Sequence, residues 1–328
     1  MKVSIIIPTL NEEKMLGGLL DSIRSQDFND YEIIVADANS TDNTREIARN
    51  FGCRVVDGGL PAAGRNAGAV VASGDFFFFL DADVILPPGF IRNVYDEMQD
   101  RYIDLATCEI KPLSDYRLDR VVHRMINLAV VLNLWLDPKA FGFCIFVTKR
   151  LFLRSGGFDE TIYVAEDNDF VKRASYFRTL RYLNSAYIMV SIRRFQKEGR
   201  FAYMKKGIKL NIYRAFKGEI RSDEVVKYEF DAFDKIDNDF DSNFLDRIEK
   251  QLLKIEDKSK NFNHNARINK YKNKKVDIRQ LRPQINEYAY LVKELDSYLN
   301  RRERNKRRKS KFLEFFKPRA SREMRSNE

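Results

Sequence analysis

Up to about Ile110, short strand-like runs alternate with segments of helical periodicity in this chain of 328 residues. The strand-like runs read VSIIIP, EIIVAD, RVVD, FFFFLDAD and LATCEI, and segments such as EKMLGGLLDSIRS and STDNTREIARNFG lie between them. This alternation predicts an α/β domain with a doubly wound, mostly parallel sheet. Because the run Phe76–Leu80 has no polar residue, we expect a central strand that helices cover on both faces.

The pattern changes in the second half of the chain. Residues Tyr116 to Leu136 have helical periodicity, and a mixed region follows as far as Gly218. The later sequence is charged and rich in Asn and Lys, with helical periodicity again in Phe244–Ile255 and Leu281–Leu299. We therefore predict an α/β domain over residues 1–218, a helical C-terminal region over residues 219–300 and a basic tail over residues 301–328.

The positive charge is concentrated at the C-terminus. The net charge of the chain is +10, and residues 301–328 hold 12 Lys or Arg against 4 Asp or Glu. A charge confined to a tail does not indicate what the folded part binds, so we predict no specific nucleic-acid partner.

Cysteine and histidine usage restricts the chemistry and the compartment. The three cysteines lie far apart with no disulfide or metal-ligand spacing, which favours a reducing compartment. With two histidines in the chain, a zinc site built from imidazole is nearly excluded and a catalytic base is expected to be a carboxylate.

The N-terminus lacks the shape of a signal peptide, and the apolar stretch Ile126–Leu136 is shorter than the roughly 18 residues of a membrane span. These features predict a cytoplasmic protein.

One closely spaced carboxylate pair follows a predicted strand. Asp81 and Asp83 come directly after FFFFL and lead into a loop with two prolines. Two Asp separated by one residue can present oxygen ligands to Mg²⁺ or Mn²⁺ while the cation also binds a diphosphate. The plainer interpretation is that these are turn residues that cap the strand. Both interpretations remain open from the pair alone. A metal site would lie at the carboxyl end of the sheet, where ligands of such sheets bind.

Four spaced motifs resemble those of glycosyltransferase family 2, an inverting family with the GT-A fold. VSIIIPTLNEE is similar to the opening strand and nucleotide loop of the family, and EIIVADANSTDNT to its second strand with a base-binding Asp. GRNAGAVVASGDFFFFLDAD resembles the N-x-G to D-x-D run, and GGFDE followed by AEDNDF resembles the acceptor-side segment and the E-D motif. SIRRFQKEG resembles an S-x-R-R segment of some members.

The resemblance implies transfer of a sugar from a UDP- or GDP-linked donor to an acceptor hydroxyl or phosphate. Asp167 would be the general base, and Asp83 with Asp81 would bind Mg²⁺ or Mn²⁺. The residues implied for nucleotide-sugar binding are Pro8, Thr9, Asn11, Glu12, Asp37, Arg65, Asp81, Arg193 and Arg194. The family often has D-D-G/x-S at the second strand, whereas this chain reads Asp37, Ala38, Asn39 and Ser40. A second carboxylate is therefore missing there, and a ribose contact at Asn39 is not carried over.

The acceptor class remains open from the sequence, and an acceptor glycan, a lipid-linked glycan and a polyprenyl phosphate all fit the resemblance. The tail places Phe312, Leu313, Phe315 and Phe316 among Lys and Arg residues, as an anchor on an anionic membrane surface requires. The enzyme would then lie at the inner face of the membrane. A disordered, solubilising tail is the alternative.

Two rival functions remain at this point. A phosphatase of the haloacid dehalogenase type also places D-x-D after an apolar strand, with the first Asp as nucleophile. A glycosyltransferase-like binding module without turnover is the other rival. A dinucleotide-binding function is excluded, because the glycines do not form G-x-G-x-x-G after the first strand.

Overall fold

The structure is a computed structural model that describes residues 2–193, 219–221, 242–271 and 277–315. Arg194, one of the predicted donor-binding residues, lies outside these ranges. The strands are β1 (Val3–Thr9), β2 (Tyr31–Asp37), β3 (Arg54–Asp57), β4 (Phe76–Phe79), β5 (Val84–Ile85), β6 (Leu105–Pro112), β7 (Ile145–Thr148) and β8 (Arg181–Val190).

The helices of the first 193 residues are α1 (Leu16–Arg24), α2 (Thr44–Asn50), α3 (Pro61–Val71), α4 (Phe90–Asp100), α5 (Arg117–Asn133), α6 (Lys149–Arg154) and α7 (Glu166–Phe177). The C-terminal helices are α8 (Ser242–Tyr271), a 3-10 turn (Ile278–Leu281) and α9 (Arg282–Phe315).

Within the described ranges the strands form one sheet in the order β3-β2-β1-β4-β7-β6-β8-β5. The first four strands are parallel, and β6 pairs with β8 in parallel, whereas β7 and β5 are antiparallel to their neighbours. The predicted α/β fold with a mostly parallel sheet is confirmed. Because β7 runs against β4, with Ile145 opposite Phe79, the segment before β7 lies at the edge where the parallel strands end.

Side chains alternate between the two faces of the sheet, as the pleat requires. Ile5 and Phe78 point to the face covered by α1 and α4, whereas Ile6, Phe77 and Phe79 point to the face covered by α3, α6 and α7. All of these side chains are fully buried. The all-apolar strand β4 is therefore central, as its sequence predicts.

The C-terminal helices pack against α5 and form an apolar cluster with it, apart from the two apolar layers on the faces of the sheet. Ile248, Leu252 and Ile255 of α8 pack with Val121 and Met125 of α5. The predicted helical C-terminal region is therefore present. Helix α9 continues to Phe315, so the predicted boundary between residues 300 and 301 falls inside a helix.

The helices described in the structure include none that is long and apolar enough to cross a membrane.

Candidate functional site

Asp37 ends strand β2 directly beside Thr9, the last residue of β1. Its carboxylate is fully buried and accepts hydrogen bonds from the Thr9 hydroxyl at 3.1 Å, the Ser40 backbone N–H at 3.0 Å and the Ser40 hydroxyl at 2.5 Å. The Nε of Arg45 lies 3.5 Å from the same carboxylate. These donors fix the Asp37 carboxylate at the carboxyl end of the sheet.

The loop after β1 is tied to the loop after β2. Asn11 has a left-handed backbone with φ of 55°. Its N–H donates to the Ser40 hydroxyl at 2.8 Å, and its side-chain oxygen accepts from the Thr41 N–H at 2.9 Å. The N–H of Glu12 donates to the Thr44 hydroxyl at 2.8 Å. These bonds hold the backbone of the loop in place, and the Glu12 carboxylate accepts hydrogen bonds from Arg193.

Arg65 connects the two acidic motifs of the sequence. It lies on α3 with 3% of its surface exposed. Its Nη2 donates to Asp81 at 3.0 Å and its Nη1 to Glu166 at 2.6 Å, and its guanidinium lies 5.5 Å from the centre of the Phe158 ring. The Nε of Arg65 is buried and has no hydrogen-bond partner among the described residues. The end of β4 and the start of α7 thus meet around one buried cation.

Asp167 lies in the first turn of α7, next to this cation. Its Oδ2 accepts from the Gly142 N–H at 2.8 Å, and its Oδ1 accepts from the Asn168 N–H at 2.7 Å. Gly142 also lies close to Arg65. A Cβ at this position would be 2.2 Å from Nη2 of that arginine. A side chain at position 142 would therefore force the Arg65 guanidinium to move.

Burial raises the pKa of Asp167 to about 7, and the neighbouring Glu166 carboxylate adds to the increase. Arg65 and the backbone N–H groups of Asn168 and Gly142 act in the opposite direction. A carboxyl group with a pKa near 7 can both hold and accept a proton at neutral pH, which suits a general base.

Arg193 binds the other carboxylates of the site. It follows strand β8 and donates from Nε to Asp83 Oδ2 at 2.9 Å. Its Nη1 and Nη2 donate to the two oxygens of Glu12 at 2.7 and 2.5 Å. The pairing of β5 with β8 brings it there, because Asp83 directly precedes β5.

The carboxylate oxygens of the D-x-D motif could supply some of the ligands that a hard divalent cation needs. Asp81 and Asp83 supply carboxylate oxygens, and each is already paired with a guanidinium that provides positive charge. No group of three or more His, Cys, Asp or Glu that could hold a metal occurs in the described part of the chain. Bound Mg²⁺ commonly keeps one or two carboxylates and takes its other ligands from phosphates and water. Asp81 and Asp83 are thus the residues that would hold such an ion.

The G-G-F-D-E segment before α7 is anchored by two side chains. Asn66 of α3 accepts from the Phe158 N–H and donates to the Phe158 carbonyl, each at 2.9 Å. Arg173 of α7 donates to the carbonyls of Ser155 and Gly157. Asp169, also in the acidic run, binds Arg173 at 2.7 Å and therefore has a structural contact.

The structure brings most of the predicted site residues to one edge of the sheet. Thr9 and Asp37 meet at one position, Glu12, Asp83 and Arg193 at a second, and Arg65 and Asp81 at a third. Pro8 lies beneath α3, with its Cβ 3.1 Å from where a Cβ on Gly64 would be.

Sequence reasoning missed two residues at this edge. Gly142 received no role, although a glycine between the aromatic residues Phe141 and Phe143 is a signal for a close backbone approach. Asn66 lies within the recognised N-x-G motif, but only the fold shows that its amide holds the chain at Phe158.

Part of the chain is similar in sequence to a known protein family. Residues 4–146 match the family model "Glycosyl transferase family 2". A GalNAc(5)-diNAcBac-PP-undecaprenol beta-1,3-glucosyltransferase of Campylobacter jejuni is 34% identical over 112 residues, which cover 31% of this chain and 36% of that protein. A poly(ribitol-phosphate) beta-glucosyltransferase of Bacillus spizizenii is 30% identical over 138 residues, which cover 39% of this chain and 22% of that protein.

A crystal structure of Staphylococcus aureus TarS, residues 1–349, is similar with a TM-score of 0.49 and 20% identity. The match covers 70% of this chain and 76% of that one. The curated relatives named above are matched over about a third of their length or less. The matched family segment contains the P-x-x-N-E loop, Asp37, Arg65 and the D-x-D motif, whereas Asp167 and Arg193 follow it. Residues 4–146 of this chain are therefore similar to glycosyltransferase family 2, as the sequence motifs indicate.

Proposed function

We propose that the chain is an inverting glycosyltransferase that transfers a sugar from a nucleoside-diphosphate sugar to an acceptor hydroxyl or phosphate, with Asp167 as general base. The observation that carries this proposal is the position of Arg65. Its guanidinium contacts Asp81 of the D-x-D motif and Glu166 of the E-D motif, so the expected donor and acceptor sides share one buried cation.

Inversion at the anomeric carbon needs one in-line attack by the acceptor oxygen. A carboxylate must take the acceptor proton as the new bond forms. Asp167 supports this role because two backbone N–H groups orient its carboxylate and its pKa is raised to about 7. Its ionised form can accept the proton, and its protonated form is stable enough to retain it.

The donor would bind along the carboxyl ends of β1, β2 and β4. Thr9, Asp37 and the loop around Asn11 support a nucleoside position, and Arg65, Arg193 and Arg194 would contact the phosphates through charge-assisted hydrogen bonds. A divalent cation held by Asp81 and Asp83 would neutralise charge that develops on the leaving nucleoside diphosphate. The remaining acceleration would come from orientation of donor and acceptor.

The acceptor class that we propose is a glycan or a lipid-linked phosphate, including a polyprenyl phosphate. The Campylobacter relative is named for an undecaprenol-linked acceptor, and the Bacillus relative for a poly(ribitol-phosphate). A basic tail that holds the enzyme at the cytoplasmic face of a membrane would bring it close to such acceptors.

Incubation of the full chain with Mn²⁺ and a panel of UDP- and GDP-sugars tests the activity through slow donor hydrolysis. We expect Asp83→Ala to abolish that hydrolysis, and near-normal turnover of this variant in EDTA would contradict the metal assignment. A phosphatase would instead release phosphate from simple phosphate esters, and a silent binding module would do neither. The family match does not favour the phosphatase.

A further inference from the structure

The contacts of Arg193 suggest a role beyond phosphate binding. Its guanidinium donates to Asp83 at 2.9 Å and to both oxygens of Glu12 at 2.7 and 2.5 Å. One planar cation thus joins the D-x-D motif to the loop after β1. The bidentate contact with Glu12 has the more favourable geometry, because two parallel bonds fix the guanidinium plane.

The backbone holds Arg193 beside Asp83 independently of its side chain. The Ser191 N–H donates to the Asp83 carbonyl at 3.0 Å, directly after the pairing of Val84 with Val190. The Arg193 N–H then donates to the Ser191 hydroxyl at 3.2 Å. The arginine is therefore attached at a fixed distance from the carboxylate, and its side chain can move without loss of this attachment.

A divalent cation on Asp83 would meet this guanidinium. The Asp83 residue is only 7% exposed, so water screens its surroundings poorly. A second positive charge on the same buried carboxylate would repel Arg193. The repulsion is relieved when Arg193 gives up Asp83 and keeps its two bonds to Glu12.

We propose that Arg193 is a tethered counterion that neutralises Asp83 in the absence of metal and is displaced from it when a divalent cation binds. This inference rests on the proposed metal role of Asp83 and deepens it. Arg193 lowers the affinity of the free enzyme for the cation. A nucleoside diphosphate offsets this effect, because its phosphate oxygens accept the hydrogen bond that Arg193 no longer donates to Asp83. Cation and nucleotide therefore bind cooperatively through Arg193.

The test is a titration of the full chain with Mn²⁺, in which electron paramagnetic resonance measures the free ion. Without nucleotide, we expect Arg193→Ala to bind Mn²⁺ roughly 10-fold more tightly than the original chain, because a charge-assisted hydrogen bond no longer competes. With UDP or GDP at saturation this gain should disappear, since the variant also lacks a phosphate ligand. Arg92→Ala removes the same charge from an exposed pair with Asp27 and should leave the Mn²⁺ affinity unchanged.

A weaker affinity of Arg193→Ala for Mn²⁺ would overturn the proposal. If Arg193 only orients Asp83 for the metal, Arg193→Ala should weaken Mn²⁺ binding by roughly 10- to 100-fold, as loss of an outer-shell partner does. An unchanged affinity would also overturn it. If Arg193→Ala does not fold, Arg193→Gln removes the charge and keeps most of the side chain, and an Mn²⁺ affinity equal to or weaker than that of the original chain would contradict displacement.

Asp83→Asn separates this proposal from the proposed function. If this variant binds Mn²⁺ as tightly as the original chain does, the metal assignment itself is wrong. If Asp83→Asn loses Mn²⁺ while Arg193→Ala gains no affinity, the metal assignment stands and the counterion role alone fails.

Discussion

Asp167 shows how two opposing effects set the chemistry of a single residue. It lies in the first turn of α7, where the helix dipole favours an ionised carboxylate. Burial and the adjacent Glu166 oppose ionisation, and they prevail, since its pKa is raised to about 7. A solvated carboxylate at a helix start would remain ionised well below neutral pH and would be a weak base. The surroundings of Asp167 therefore matter as much as its position in the motif.

Asp167→Asn should lower kcat by roughly 10² to 10⁴, the usual contribution of a general base, because the amide cannot accept the acceptor proton. Donor affinity should remain unchanged. In the original chain, kcat should fall as the pH drops below about 7, because the base becomes protonated. Steady-state kinetics from pH 5.5 to 8.5, with donor affinity measured by calorimetry, check this. A variant with unchanged kcat would assign the base elsewhere, and Glu166 would be tested next.

The same substitution should also change how the stability of the protein depends on pH. A folded-state pKa above the unfolded value means that the folded protein binds the proton more tightly. The contribution of Asp167 to stability is therefore present below about pH 4 and is lost as the pH rises through about 7. We expect the effect of Asp167→Asn on the free energy of unfolding to be more favourable at pH 8 than at pH 5 by roughly 1 to 3 kcal/mol, because the amide does not titrate. The backbone N–H that loses its carboxylate acceptor lowers stability at both pH values. Urea unfolding at both pH values measures the difference, and an equal effect at both would contradict it.

Helix α3 shows how the packing of one element positions the site. It carries Arg65 and Asn66, and it lies close against strand β1 because Gly68 has no side chain. A Cβ on Gly68 would lie 2.4 Å from Cγ2 of Ile6, which is fully buried. The close approach of α3 to the sheet brings the Arg65 guanidinium to the end of β4.

Gly68→Ala should lower the free energy of unfolding by about 1 to 3 kcal/mol, because the added methyl overpacks the core. Gly17→Ala is the matched control, since nothing lies within 4 Å of a Cβ at this position of α1. It should raise stability by about 0.4 to 1 kcal/mol through a less flexible unfolded chain. Chemical denaturation of both variants measures the effects. A Gly68→Ala variant as stable as Gly17→Ala would contradict the close contact.

Helix α8 is held to α5 by one apolar face. Leu252 is fully buried on that face, whereas its neighbour Leu253 is 47% exposed. Leu252→Asp should destabilise the protein by at least about 3 kcal/mol, because the charge would be buried without a partner. Leu253→Asp should change the free energy of unfolding by no more than about 0.5 kcal/mol. Thermal and urea melts of both variants distinguish them, and similar losses in both would indicate a different orientation of α8.

At the scale of the whole molecule, the basic C-terminus raises the question of where the protein is located in the cell. We expect the full chain to sediment with vesicles that contain anionic phospholipid and to be released as salt increases. Each Lys or Arg near such a surface contributes about 1 kcal/mol. Replacement of Phe315 and Phe316 by Ser should reduce binding, and vesicles of neutral lipid serve as the control. If the full chain ignores anionic vesicles at low salt, or prefers nucleic acid to lipid, the anchor prediction is wrong.

The sequence determined the features that depend on neighbouring residues. The alternation of apolar runs and helical patterns predicted the α/β sheet, and the four phenylalanines of β4 predicted its central position, because local periodicity reflects which faces of an element are buried. The D-x-D pair, Asp37 and Asp167 were also predicted as site residues from local motifs, and their roles stay predictions. A carboxyl group at the end of a strand, or in the first turn of a helix, is visible in a short stretch of sequence.

Only the tertiary structure decided which distant residues meet. Arg65 lies between Asp81 and Glu166, Arg193 binds Asp83 and Glu12, and the thiols of Cys108 and Cys144 approach to 3.5 Å despite their sequence spacing. These contacts depend on strand order, register and the antiparallel entry of β7. A one-residue change in register would turn each side chain to the other face, and no local pattern specifies how two strands far apart in sequence are aligned.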